Sequence, residues 1–143
     1  MAALSPRLGA VVDALPLQPD SRVLEIGCGP GAAARAVAER LVTGHVLAID
    51  RSAKAVAQAA MAASPQIASG RLRLRQVAVE DFVLLPEDEP FEVIFAVRVG
   101  ALDGRHPETG RQALRRLAAA AAPGARLFVD GGRPLRELPI PPA

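Results

Sequence analysis

The sequence has no tryptophan and no tyrosine, and Phe82, Phe91, Phe95 and Phe128 are its whole aromatic complement. A platform for stacking single-stranded bases therefore has almost no material. Lysine occurs once, at Lys54; the other basic side chains apart from two histidines are arginines, and the net charge is only +2. So small an excess gives no polyanion footprint, and a nucleic-acid partner is not expected. Abundant alanine and arginine with almost no lysine fits the codon usage of a GC-rich bacterial genome, which lowers the weight of any single arginine. Cys28 is the sole cysteine, so an internal disulfide and a multi-cysteine metal site are excluded, and no metal is expected. No apolar run reaches membrane-spanning length. The N-terminal "MAALSPRLGAVVDALP" is too short for a secretion signal and is broken by Asp13 and Pro16. A cytoplasmic protein is the expectation.

What is present is a chain of 143 residues, half of them apolar, enough for one globular domain with a core of small and branched side chains. Leu8, Val11, Val12 and Leu15 fall at helical spacing and predict a short lead-in helix. "RVLEI" (Arg22–Ile26) and "HVLAID" (His45–Asp50) read as buried strands, with a helix from Ala32 to Leu41 between them. Ser52 is an N-cap for a helix running to about Ala63, and "SPQIASG" reads as loop. "RLRLRQV" alternates, with Leu72 and Leu74 on one face and Arg71, Arg73 and Arg75 on the other, so it predicts a half-exposed strand. "FEVIFAV" (Phe91–Val97) and "ARLFVD" (Ala125–Asp130) are further strands, separated by a helix from Glu108 that "PG" ends near Ala122. The link from Val77 to Phe91 is short for a crossover, though "VEDFVLLP" has room for one helical turn. Strands alternating with helices predict an α/β fold in three layers, with helices on both faces of a mainly parallel sheet. Residues 1–20 form the lead-in, 21–130 the domain proper and 131–143 a proline-rich tail expected to be irregular.

The chemistry concentrates in "VLEIGCGPGAA". A strand feeding a helix through clustered glycines aims backbone N–H groups at a ligand above the sheet edge and lets it approach closely. Gly27-Cys28-Gly29-Pro30-Gly31-Ala32 satisfies the dinucleotide pattern GxGxxG/A, a weak signal alone. Glu25 separates the readings. A carboxylate at the strand's carboxyl end suits an amine or sulfonium and repels a pyrophosphate. Pro30 removes one donor a phosphate would want, and no GK[ST] follows. A bare strand-to-helix turn that binds nothing explains the glycines but not the accompanying acids Glu25 and Asp50.

"VLEIGCGPG" resembles the first motif of class I S-adenosylmethionine-dependent methyltransferases, and the order of elements from Arg22 to about Asp130 is similar to theirs. The resemblance implies a Rossmann-like sheet in the order 3-2-1-4-5, with the family's strands 6 and 7 missing here, and S-adenosyl-L-methionine as cofactor. It implies that Gly27, Gly29 and Gly31 bring backbone to the methionine end and that Glu25 helps hold the amine. Asp50, in "LAIDRS", falls where the family binds the ribose, and Arg51 where a residue packs near the adenine. In "QVAVED" Ala78 stands in place of an acid that contacts the adenine amino group, leaving the Val79 N–H to serve the ring. Glu80 is a weaker candidate there. Arg98 occupies the fourth motif, where the family often has Asn or His. Neither "NPPY" nor "DPPY" is present, which disfavours methylation of base amino groups.

Each residue also has a plainer reading. Asp50 could merely cap the following helix, but Ser52 already does so. Cys28, a thiol at a helix N-terminus, could have a lowered pKa; it is read as contributing backbone only. His106 is a weak candidate for a general base, and His45, far from the ligand edge, is expected at the surface. Arg98 could hold a carboxylate of substrate or cofactor. Arg71, Arg73 and Arg75 read as protection of a sheet edge rather than a nucleic-acid stripe. The four prolines of "GGRPLRELPIPPA" exclude a central strand. That would leave the fifth strand as an apolar edge, so a homodimer or partner chain is expected, with the tail packed over the edge.

The function expected is methyl transfer to a small-molecule acceptor, with no catalytic base assigned. The alternatives are a catalytically inactive partner or regulatory subunit that binds S-adenosylmethionine or S-adenosylhomocysteine, and a nicotinamide-dinucleotide-dependent oxidoreductase, against which Glu25 argues.

Overall fold

Two-residue alternation sorts the strands onto two cores. In β1 (Arg22–Ile26), Val23 joins Val46, Ala48, Val93, Phe95 and Phe128 on one face. Leu24 and Ile26 join Leu47, Ile49, Ile94 and Leu127 on the other. Both faces are covered, so β1, β2 (His45–Asp50) and β4 (Phe91–Ala96) are nearly continuous apolar runs. The structure, a computed structural model, describes residues 4–143; the first three residues of the lead-in lie outside the described part.

Helices α1 (Pro6–Ala14) and α2 (Ala32–Ala38) cover the first face through Val11, Val12 and Val37. Helix α5 (Pro107–Ala120) covers the second through Ala113 and Leu117, beside Phe82. Strands β3 (Leu72–Gln76) and β5 (Ala121–Asp130) complete the predicted order 3-2-1-4-5, all parallel. Between β3 and β4 the chain makes a single 3-10 turn, Val79–Asp81, as the sequence allowed. Ser52 caps α3 (Ala53–Ala62), accepting from the Ala55 N–H. No helix among the described residues is long and apolar enough to cross a membrane.

Three expectations are corrected. "SPQIA" is not loop but helix α4 (Ser64–Ala68), because its proline sits in the first turn, where a missing N–H costs nothing. Helix α5 stops at Ala120, and β5 begins before Pro123-Gly124, which fall at a shift of register against β4. The tail is not irregular: "LREL" forms β6 (Leu135–Leu138), antiparallel to β5, and makes a six-stranded sheet. The prolines at 134, 139, 141 and 142 flank this strand without interrupting it, and it lies at the edge, where a neighbouring proline is tolerated. Strand β5 is thus covered by its own chain, and the open edge that argued for a second chain does not exist.

Strand β3 is the other edge, but its arginines are more than solvated cover. Arg73 and Arg75 both donate to Asp88 at 2.9 Å, and that carboxylate is fully shielded from solvent. His45 is half-buried rather than superficial, with its Nε2 3.3 Å from Arg73.

Candidate functional site

The carboxyl ends of β1, β2 and β4 open onto two adjoining clefts, of about 550 and 230 Å³, with Gly27 and Arg98 on their common border. Gly27 has φ +70°, and a Cβ there would lie 2.7 Å from Val99 Cγ2, so only glycine lets the chain turn beneath the loop after β4. Gly31, with φ +90°, caps α2 against Ala59, where a Cβ would sit 3.1 Å from the alanine methyl.

The backbone donors of this loop are already used. Gly27 and Cys28 N–H both donate to the Ile49 carbonyl, at 2.8 and 3.0 Å, and Gly31 N–H donates to the Cys28 carbonyl. Gly29 N–H donates to Asp50 Oδ2 at 2.9 Å, and Pro30 has no N–H. The expectation that the loop aims free N–H groups at a ligand is therefore corrected: β2 has claimed most of them.

Glu25 is the outlier among the buried groups. Alternation turns it to the α1 and α2 face, where its register neighbours across the sheet are Ala48 and Phe95. It is 4% exposed, and its Oε1 has no hydrogen-bond partner. It lines the smaller cleft with Cys28, Ala33, and Ser5, Arg7 and Leu8 from the α1 region. Burial, with a smaller contribution from the Asp50 charge, pushes its carboxyl up to about 8. A ligand that brings a cation would satisfy it.

Cys28 lies beside it, also buried, with Sγ directed at the Gly29 carbonyl 3.5 Å away. Burial first, then the Glu25 and Asp50 charges, push its thiol up to about 12. A thiolate nucleophile is thereby disfavoured, in keeping with a backbone role.

Asp50, Arg51, Ala78, Val79 and Glu80 line the larger cleft together. Asp50 accepts from Gly29 N–H through Oδ2 and from Ser52 N–H through Oδ1, both at 2.9 Å. It thus ties the glycine loop to the start of α3, and each oxygen retains a lone pair for a hydroxyl. Its helix-end contact and a ligand role are compatible, so the two sequence readings are not exclusive.

The opposite wall carries Arg98 and His106. Arg98 has φ +58°, unusual for a residue with a Cβ, and its N–H donates to Asp130 Oδ1 at 2.9 Å. The other Asp130 oxygen accepts from Arg7 at 3.1 Å. His106 occupies the N-cap position of α5 without making a side-chain cap bond. Sequence reasoning missed Arg7, Arg105, Thr109 and Asp130. Asp130 ends β5 as Asp50 ends β2, and that parallel was a readable signal. Arg7 arrives from far along the chain, and nothing local announces it.

Solved structures share this fold. The chain superimposes on an S-adenosylhomocysteine complex of a methyltransferase from Geobacter sulfurreducens with TM-score 0.67 and 24% identity, covering 88% of this chain and 48% of that one. For the cyclase SpnF the values are 0.68 and 28%, covering 85% and 42%. Trans-aconitate 2-methyltransferase of Streptomyces avermitilis is 35% identical over 85 residues, 59% of this chain. The chain spans only 30% of that curated relative's length. The family profile described as "Methyltransferase domain" matches residues 23–124, and the chain belongs to that family.

Proposed function

We propose that the chain binds S-adenosylmethionine across the paired clefts and transfers its methyl group to a small-molecule acceptor. The observation that carries this reading is Glu25, a buried carboxylate with an unpartnered oxygen beside a loop whose N–H groups are spent. A fitting ligand brings a cation to Glu25 and asks little of the loop. S-adenosylmethionine has an ammonium, a sulfonium and a carboxylate, and no phosphate. A dinucleotide would set its pyrophosphate against a buried acid with few free donors, which weighs against the oxidoreductase reading.

In this reading Glu25 takes the amine end, Gly27, Cys28, Gly29 and Gly31 give the methionine close access to backbone, and Asp50 takes the ribose. Arg51, Ala78 and Val79 border the adenine. Bound there, the cofactor supplies an electrophilic methyl group; the protein holds both reactants in line and excludes water. The relative named for trans-aconitate supports a small acceptor. The binding unit is proposed to span residues 21–130, with 1–20 and 131–143 as flanking segments. A cytoplasmic setting belongs to the same proposal and fits the free thiol of Cys28. A homodimer or partner chain, expected for an open β5 edge, has lost that ground and is not part of the proposal.

A second reading has specific support. A neighbour with this fold is named a cyclase, so the fold alone does not carry methyl transfer. Ala78 also stands where the resembled motif has an acid. A chain that binds the cofactor without turnover is the alternative.

Calorimetry with S-adenosylmethionine and with a nicotinamide dinucleotide tests the first step. Micromolar binding of the sulfonium cofactor alone is expected, and preference for the dinucleotide refutes the proposal. Asp50→Ala should weaken binding by about 1–3 kcal/mol, the cost of a lost buried hydrogen-bonding carboxylate. Transfer of labelled methyl to a panel of small acceptors then separates enzyme from binder.

A further inference from the structure

The wall of the larger cleft that carries Arg98 has a charge to which the proposed cofactor contacts assign no partner. The inference drawn from it rests on the cofactor reading above and concerns the acceptor. Arg98 adopts a left-handed backbone conformation, held by its N–H bond to Asp130. For a residue with a Cβ this conformation is strained. It places an exposed guanidinium on the border of both clefts. Among the described residues no ion pair or side-chain hydrogen bond engages that guanidinium.

Two residues on, Gly100 leaves a patch of backbone bare. A Cβ there would lie 2.8 Å from His106 Cδ2 and 3.3 Å from both His106 Nε2 and Arg105 Nη2. The imidazole and a second guanidinium therefore converge on one spot. The acids nearby are already matched: Asp103 pairs with Arg105 Nε at 2.8 Å, and Asp130 pairs with Arg7 at 3.1 Å. The acids that line the cleft are Asp50, held by the Gly29 and Ser52 N–H groups, and Glu80. Neither forms an ion pair with Arg98.

We propose that this wall recognises the methyl acceptor through a carboxylate, gripped by Arg98, with Arg105 Nη2 and His106 Nε2 as the flanking hydrogen-bonding groups. A guanidinium presents paired N–H groups that match a carboxylate. The sulfonium of the cofactor also attracts an anion. An amine acceptor is repelled by the sulfonium and by Arg98, and a neutral one leaves Arg98 unmatched.

The test is a titration of the protein saturated with S-adenosylhomocysteine. Succinate, citrate and benzoate are compared with succinamide, benzamide, benzylamine and phenyl phosphate at up to millimolar concentration. At least one carboxylate should bind about tenfold or more above its amide, the worth of one charge-assisted bond, and should weaken as salt rises. Arg98→Met should remove that preference and Arg98→Lys restore part of it; a loss of S-adenosylhomocysteine affinity in Arg98→Met would assign the guanidinium to the carboxylate of the cofactor itself and overturn the proposal. Arg98→Met keeps the backbone N–H to Asp130, so the turn itself is retained. Amides or amines that bind as tightly as carboxylates overturn the proposal. So do a panel in which no carboxylate binds, a preference for phenyl phosphate over benzoate, and a carboxylate affinity indifferent to Arg98→Met. If S-adenosylhomocysteine does not bind, the cofactor reading fails instead, and the same titration of the ligand-free protein decides the carboxylate site on its own.

Discussion

Replacing Glu25 with glutamine should change how stability depends on pH, and the change can be worked out from its surroundings. The side chain is 4% exposed, its Oε1 has no partner, and its carboxyl is raised from 4.5 to about 8. A carboxyl raised on folding means that the native state holds a proton the unfolded chain has released. Its contribution is therefore fully present below the unfolded value and is lost as pH rises through the folded value. Between the two values the loss is about 1.4 kcal/mol per pH unit. Across pH 5 to 8, with the slope easing towards either value, that amounts to about 3.5 kcal/mol, a large share of a typical stability of about 5–15 kcal/mol. Glutamine has nearly the same shape and does not titrate. Urea unfolding of wild type and Glu25→Gln at several pH values across this window should give curves that diverge by about that amount. The lowered pKa of half-buried His45, due first to burial, acts in the opposite direction, favouring stability as pH rises. It is present in both proteins and cancels in the comparison. Parallel curves would refute the assignment of Glu25 as a buried, unpaired acid, and with it the physical basis for cation binding. If the acid is as described, a cationic ligand must also displace its proton. The affinity for S-adenosylmethionine should then rise from pH 6 towards pH 8 in wild type and not in Glu25→Gln.

Two further outcomes follow from packing and charge. Gly27→Ala combines a φ of +70° with a Cβ 2.7 Å from Val99 Cγ2. It should lower stability by about 1–3 kcal/mol, and Val99→Ala in the same chain should recover only the steric part. Thermal unfolding of the single and double variants distinguishes the two; full recovery would refute the strain. Asp88→Asn leaves Arg73 and Arg75 facing a neutral amide at a position shielded from solvent. It should cost about 2–3 kcal/mol near neutral pH. Because hydrogen bonds from Arg75, Leu85 and Arg73 outweigh burial and hold the Asp88 carboxyl down to about 2, wild type should keep this advantage above the unfolded value and lose it as pH falls through the folded one. Equal stability of variant and wild type near neutral pH would refute it.

The layers, the five parallel strands and their order were legible because alternation and short loops are local signals. So was the gathering of Asp50, Arg51, Ala78 and Val79 at one cleft, since a parallel sheet collects its loops at the carboxyl ends of its strands. Strand β6 is hidden because its prolines flank a four-residue segment, and their number signals irregular chain while their positions leave that segment free to pair. Helix α4 was hidden by a proline in its tolerated first turn.

Local pattern alone places a carboxylate two residues before a glycine turn at a strand end, and Asp50 at the end of the next strand. What surrounds them depends on the folded chain. Whether an N–H in the loop is free depends on β2, which supplies the Ile49 carbonyl and the Asp50 carboxylate that occupy these donors. Whether Glu25 is solvated depends on the residues of the α1 region and on Cys28 and Ala33, which line its cleft and leave its Oε1 without a partner. Whether Arg98 is free depends on Asp130 and Arg7, remote in sequence, which engage each other and the backbone while leaving its guanidinium unmatched. Charge state and donor availability are set by neighbours in space, and those neighbours come from distant segments that no local pattern encodes.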